Sequence, residues 1–329
     1  MYYRLLILVT LLFIFGCKKS TCSIPEEAEK IPLRVEIERL EQRFFQDTSR
    51  SDLADFVKKH PEFVESFFRR SQLRSDSVLI NALHGLATNP ELRKLGKEAE
   101  DRFGNMEQER QELESAFKVV KYYYPDFVVP EVKTFVSGLS RDFLITDSLL
   151  VLGIDFFVGQ QASYRPDVYD YILKRYERPN MVPTAMLLLS NRFNQTSRSE
   201  RNLLAEMINT GKAYYFVESV LPCTPDSAII GYSRKDIADV RHNEAKIWAH
   251  FIEKGLLYER SPFVITKYIG ERPNTPEIDA TAPGRLGTWV GWQIVRKYME
   301  RNPDVTLPEL LAEIDHQKIL NESKYKPRK

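Results

Sequence analysis

Val132-Lys-Thr-Phe-Val-Ser-Gly138, Asp142-Phe-Leu-Ile-Thr146 and Ser148-Leu-Leu-Val-Leu-Gly-Ile-Asp-Phe-Phe157 decide how this chain is read. All three stretches are dense in Val, Ile, Leu and Phe, which suit a pleated surface, and turn residues such as Ser137-Gly138 part them. They predict successive strands of a small antiparallel sheet. On the N-terminal side the pattern turns helical. Leu113, Phe117 and Val120 share one face of a helix from Glu107 to Tyr124, which Pro125 stops. Pro90 to Arg102 and Asp76 to Leu86 read as helices, Pro61 opens another with Phe63 and Phe67, and Ser51-Asp52 caps one carrying Leu53, Phe56 and Val57. Alternation at Val35 and Ile37 marks a short strand between Leu33 and Leu40.

On the C-terminal side helices return: Asp167 to Arg175, Val182 to Phe193, Ser199 to Val220, Arg234 to Glu253, Ser261 to Ile269, Gly284 to Arg301 and Leu307 to Ile314. Helices, a small central sheet, then helices again is an α+β arrangement, mostly helical.

The first residues have a separate logic. Met1-Tyr-Tyr-Arg4, an apolar run from Leu5 to Phe15, Gly16 and then Cys17 follow the plan of a bacterial lipoprotein signal. The run falls short of the ~20 apolar residues that span a bilayer. Residues 1–16 are therefore expected to be a signal peptide. The stretch 17–32 is expected to be a lipidated, palmitate-bearing Cys17 with a polar tether, and 33–329 one globular domain. A simple secreted precursor cut elsewhere is the alternative.

With 329 residues and 43% hydrophobic content, the chain can bury a sizeable core. A formal net charge of +1, with bases spread among acids, excludes a nucleic-acid footprint. Three cysteines cannot build a disulfide scaffold or a thiolate zinc site. With Cys17 assigned to lipid and Cys22 in the tether, Cys223 is expected to be a buried, inert thiol rather than half of a bridge.

The chain lacks His-Glu-x-x-His, Gly-x-Ser-x-Gly, a phosphate-binding loop and a dinucleotide fingerprint, so no metal, no cofactor and no catalytic residue is assigned. His242 and His250, eight apart on one expected helix, are too far apart for a joint ligand pair. Gly284, Gly287 and Gly291 form a stripe suited to close helix packing. Glu206 and Glu218 are the acidic candidates, twelve residues apart on one helix. Asn243, Glu244 and Trp248, with Arg285, Trp289 and Trp292, form the candidate binding surface, and Lys246, Arg241 and Arg296 lie beside them in sequence.

Several stretches carry a resemblance to a known family. They include Ile37-Glu-Arg-Leu-Glu41, Tyr122-Tyr-Tyr-Pro125, Leu152-Gly-Ile-Asp-Phe-Phe-Val-Gly159 and Leu204-Ala-Glu-Met-Ile-Asn-Thr-Gly-Lys-Ala-Tyr-Tyr215. The most specific are Asn243-Glu-Ala-Lys-Ile-Trp248, Pro283-Gly-Arg-Leu-Gly-Thr-Trp-Val-Gly-Trp-Gln-Ile-Val-Arg296 and Ser323-Lys-Tyr-Lys-Pro327. In this order they resemble the GldB-like gliding-motility lipoproteins of the Bacteroidetes.

The resemblance implies a cell-envelope component of the gliding machinery, linked to protein secretion, working with other gliding and secretion proteins of the envelope. It also implies distant kinship to zincin-type metallopeptidases. The stretch Met181 to Asn194, where such an enzyme carries its His pair, holds no His, Asp or Glu, so the expectation is a degenerate, non-catalytic zincin-like fold acting through protein contacts. Lys18-Lys19 after Cys17 points to a membrane-anchored protein facing the periplasm. Two other readings stay open: a lipoprotein binding a glycan or lipid by stacking on Trp289 and Trp292, and a hydrolase using Glu206 or Glu218 with His242 or Arg241.

Overall fold

The computed structural model describes residues 22–46, 48–197 and 201–327; the expected signal peptide, Cys17 and Ser199 lie outside them. The chain begins with α1 (Glu26–Glu29), β1 (Ile37–Arg39), α2 (Leu40–Gln46), α3 (Arg50–Lys59), α4 (Pro61–Phe68), α5 (Asp76–Thr88), α6 (Pro90–Phe103) and α7 (Glu107–Tyr123). Next come β2 (Glu131–Phe135), β3 (Phe143–Ile145) and β4 (Leu149–Gly153). The second helical set is α8 (Asp170–Leu173), α9 (Arg178–Ser190), α10 (Leu203–Val220), α11 (Asp226–Ile230), α12 (Arg234–His242), α13 (Glu244–Glu253), α14 (Pro262–Ile269), α15 (Leu286–Arg301), α16 (Leu307–Ala312) and α17 (His316–Ser323).

The expectation of helices around a small central sheet holds, but the sheet is mixed rather than antiparallel. Its order is β1-β2-β4-β3. β1 pairs with β2 and β2 with β4 in parallel, and only β3 and β4 run antiparallel. The reason lies in β4. A strand buried on both faces reads as a continuous apolar run, and all five residues of Leu149-Leu-Val-Leu-Gly153 are buried. Leu149 and Val151 face the core of α2 to α5, while Leu150 and Leu152 face the larger core built with α7, α9, α10 and α15. On the smaller side Phe135 of β2 sits among the rings of Phe44, Phe63 and Phe67 at 5.1, 5.2 and 5.4 Å between centroids. Burying each such ring stabilises the fold by about 1.5–3 kcal/mol.

Local chemistry moves several expected boundaries. Ser49, not Ser51, caps α3, its hydroxyl accepting from the Asp52 amide. Asn202 caps α10 through the Ala205 amide. The single helix expected from Arg234 to Glu253 breaks at Asn243, whose backbone (φ −99°, ψ 12°) leaves the helical region between α12 and α13.

Cysteine corrects a further expectation. Cys223 is not an inert thiol: it is disulfide-bonded to Cys22. The bridge fastens the N-terminal segment to the turn after α10, and Ala28 of α1 is fully buried. Part of the stretch expected to be a free tether is therefore packed on the domain.

Candidate functional site

The site is set by the crossing of α10 and α15. A Cβ on Gly211 would stand 2.8 Å from the Trp292 amide nitrogen, and one on Gly291 would stand 2.9 Å from the Met207 Cα. Only hydrogen fits at either position, so the two backbones touch. The close packing expected of Gly287 and Gly291 is what the structure shows, while Gly284 lies before α15.

This crossing buries Trp289 and Trp292 completely. They are core residues, with no exposed ring face for the stacking reading left open above. Trp292 donates its Nε1–H to Glu218 Oε2 at 2.9 Å, and Arg296 donates to the same oxygen at 2.8 Å. Arg296 also spans both oxygens of Asp226 at 3.0 and 2.6 Å, and Arg241 donates to Asp226 at 2.6 Å. Burial works against charge on Asp226, yet the paired guanidinium groups hold its carboxyl below the usual range. Glu218 is thus consumed by structure, whereas Glu206 is half-buried one turn into α10. His242 is exposed, and His250 instead pairs its Nε2 with the Tyr268 hydroxyl at 2.9 Å.

The expected binding surface is not one surface. Asn243 lines a cavity of about 250 Å³ with Asp239, Lys246 and Asp279. Glu244 and Trp248 clasp the C-terminal segment: Tyr325 donates to Glu244 at 2.6 Å, and its ring meets the Trp248 ring edge-on at 5.1 Å.

Arg285 belongs to a different cavity, of about 120 Å³. It occupies the left-handed region (φ 61°), and its side chain turns inward with 8% of the residue exposed. It donates to the Tyr214 hydroxyl at 3.1 Å and to the Ile230 carbonyl at 2.6 Å, with the Tyr232 ring 5.5 Å from its guanidinium carbon. Its Nε lies 3.7 Å from Glu271. Glu271 is held mainly by Arg175, which donates to one of its oxygens at 2.8 Å and to the other as well. Burial opposes that charge, and the two arginines overcome it, lowering the carboxyl below its ordinary range.

The other walls come from α9, where Asn180, Thr184 and Leu187 fall at i, i+4 and i+7 on one face. Asp142 also lines the cavity, accepting from the Tyr176 hydroxyl at 2.8 Å. Asn180, Thr184, Tyr214, Arg175 and Glu271 were not singled out in the sequence. The helix was expected to begin only at Val182, which left Asn180 outside it, although the i, i+4, i+7 spacing was the available signal.

These features define a class: a mostly helical α+β protein around a small mixed sheet, whose cavity offers arginine, hydroxyl and amide groups. A family model described as gliding motility protein GldB matches residues 21–327, and the chain belongs to that family. The family is one of gliding-motility lipoproteins, which places the chain among membrane-anchored envelope proteins. No curated protein and no solved structure matches the chain. Among the described residues no helix is long and apolar enough to cross a membrane.

Proposed function

We propose that this chain is a non-catalytic component of the gliding machinery, held on the periplasmic side of a membrane by lipid on Cys17 and acting through contacts with other envelope proteins. The observation that carries the non-catalytic part is the fate of Glu218. This carboxylate, one of the two acidic candidates for a hydrolase, spends its charge on Trp292 and Arg296. The groups that α9 and α10 share in the 120 Å³ cavity, Asn180, Thr184 and Tyr214, are suited to hydrogen bonding.

The anchor reading draws support from the Cys22–Cys223 bridge, which ties the domain to a point five residues from Cys17. A bridge of this kind suits an oxidising compartment outside the cytoplasm.

The test is Glu206→Gln in the native gene. Glu206 is the acidic candidate without a side-chain partner among the described residues, and the change keeps its shape. Surface spreading at the wild-type rate is the expected result. Loss of spreading by a protein that is present at normal level and folded would restore the hydrolase reading.

A further inference from the structure

We propose that the cavity beneath Arg285 is a binding site for a single carboxylate group. The argument starts from an arginine that is more buried than its partners require. Arg285 has 8% of its surface exposed, and its two terminal nitrogens each spend one bond, on Tyr214 and on Ile230. A guanidinium carries five N–H donors in a rigid fork, so donors remain over at the cavity wall. Those two bonds and the Tyr232 ring fix the fork in place before any ligand arrives.

Charge fixes the valence of the ligand. Arg285 and Arg175 share one carboxylate, Glu271, which Arg175 occupies with two bonds while Arg285 stands at 3.7 Å. These three groups leave one positive charge over. Asp142 also lines the cavity, already accepting from the Phe143 amide and the Tyr176 hydroxyl at 2.8 Å each. It would repel a doubly charged phosphate more than a singly charged carboxylate, and the planar guanidinium fork matches a planar carboxylate.

The remaining wall groups suit an oxyanion. Tyr214 accepts from Arg285, so its own proton is free to donate. Thr184 lines the cavity with a hydroxyl that takes no protein partner among the described residues. Size sets the last limit. At about 120 Å³ the cavity is small, which suits a carboxylate with a short carbon stem. The stem would lie against Phe157 and Leu187.

The site does not depend on the lipid anchor or on gliding, so its test stands apart from theirs. Thermal unfolding and calorimetric titration of the purified mature protein would use three probes: acetate, N-acetylglycine and N-acetylglycinamide. Both acids should bind with dissociation constants in the range of about 1–10 mM or tighter, and the neutral amide should bind at least tenfold more weakly. Tighter binding of N-acetylglycine than acetate would identify a peptide C-terminus as the source of the carboxylate, and equal binding a free small acid. Thr184→Leu, which fills the cavity, should abolish the ligand-dependent rise in melting temperature while the protein still unfolds cooperatively. Arg285→Gln should weaken binding at least tenfold. No binding of either acid in this range, equal binding of the amide, or undiminished binding by Thr184→Leu would overturn the proposal.

Discussion

Gly291→Ala is expected to be the most damaging single-methyl change available in the second helical set. The new Cβ would stand 2.9 Å from the Met207 Cα and closer still to that residue's carbonyl, where ordinary contact begins at 3.4 Å. Backbone atoms on both sides leave no flexible side chain to give way, so α10 and α15 must separate by about 0.5 Å or more. Overpacking typically costs ~1–3 kcal/mol, and a backbone clash at the centre of the core belongs at about 3 kcal/mol. For a chain of this size each kcal/mol lowers the melting temperature by about 2 °C, giving a fall of ~6 °C. The separation would also draw Tyr214 of α10 away from Arg285, just ahead of α15. Urea and thermal unfolding measure the effect. Gly85→Ala is the control, since a Cβ there meets nothing within 4 Å and α5 should gain about 0.5–1 kcal/mol. A Gly291→Ala protein within ~0.5 kcal/mol of wild type would refute the claim that the glycine contact sets the crossing.

The Cys22–Cys223 bridge closes a loop of 201 residues of separation, and Cys223→Ser should lower stability by about 2–4 kcal/mol. A thiol titration of the unfolded wild-type protein lacking Cys17 should find no free thiol; two reactive thiols would show that the bridge does not form. Asp155 supplies a pH dependence. It is 1% exposed and accepts from the Ser137 and Leu139 amides at 3.0 and 2.7 Å, yet burial raises its pKa from 3.8 to about 6. A raised carboxyl pKa means that its stabilising contribution is full below pH 3.8 and is lost as the pH rises through about 6. Asp155→Asn should therefore gain on wild type across that window, by ~2–3 kcal/mol at most. A stability difference between the two proteins that does not change from pH 4 to 7 would contradict this account.

Helix and strand content was legible where period and breakers agree. The face of Leu113, Phe117 and Val120 and the stop at Pro125 gave α7 to within one residue of its end. Strand direction was not legible. Leu149 to Gly153 has the same apolar character whether its neighbours run parallel or antiparallel, and only its two-sided burial settles the matter. The glycine stripe of α15 could be read because close packing needs residues of no bulk. Its partner Gly211 could not, since a lone glycine on α10 has no pattern. A Trp pair at i, i+3 is usually core, so placing Trp289 and Trp292 on a binding surface went against their spacing; the close contact at Gly211 and Gly291 accompanies their burial. Arg285 was singled out in the sequence, but its setting was hidden: its partners Tyr214, Ile230 and Glu271 come from three separate segments of the chain.

The central claim is that this chain serves gliding from a lipid anchor on Cys17 without chemistry of its own. The most direct measurement is surface spreading by a deletion strain that produces Cys17→Ala, scored together with the distribution of the protein between membrane and soluble fractions. The account predicts a protein made at normal level, released from the membrane and unable to restore spreading. Full spreading with the variant still in the membrane fraction would contradict it.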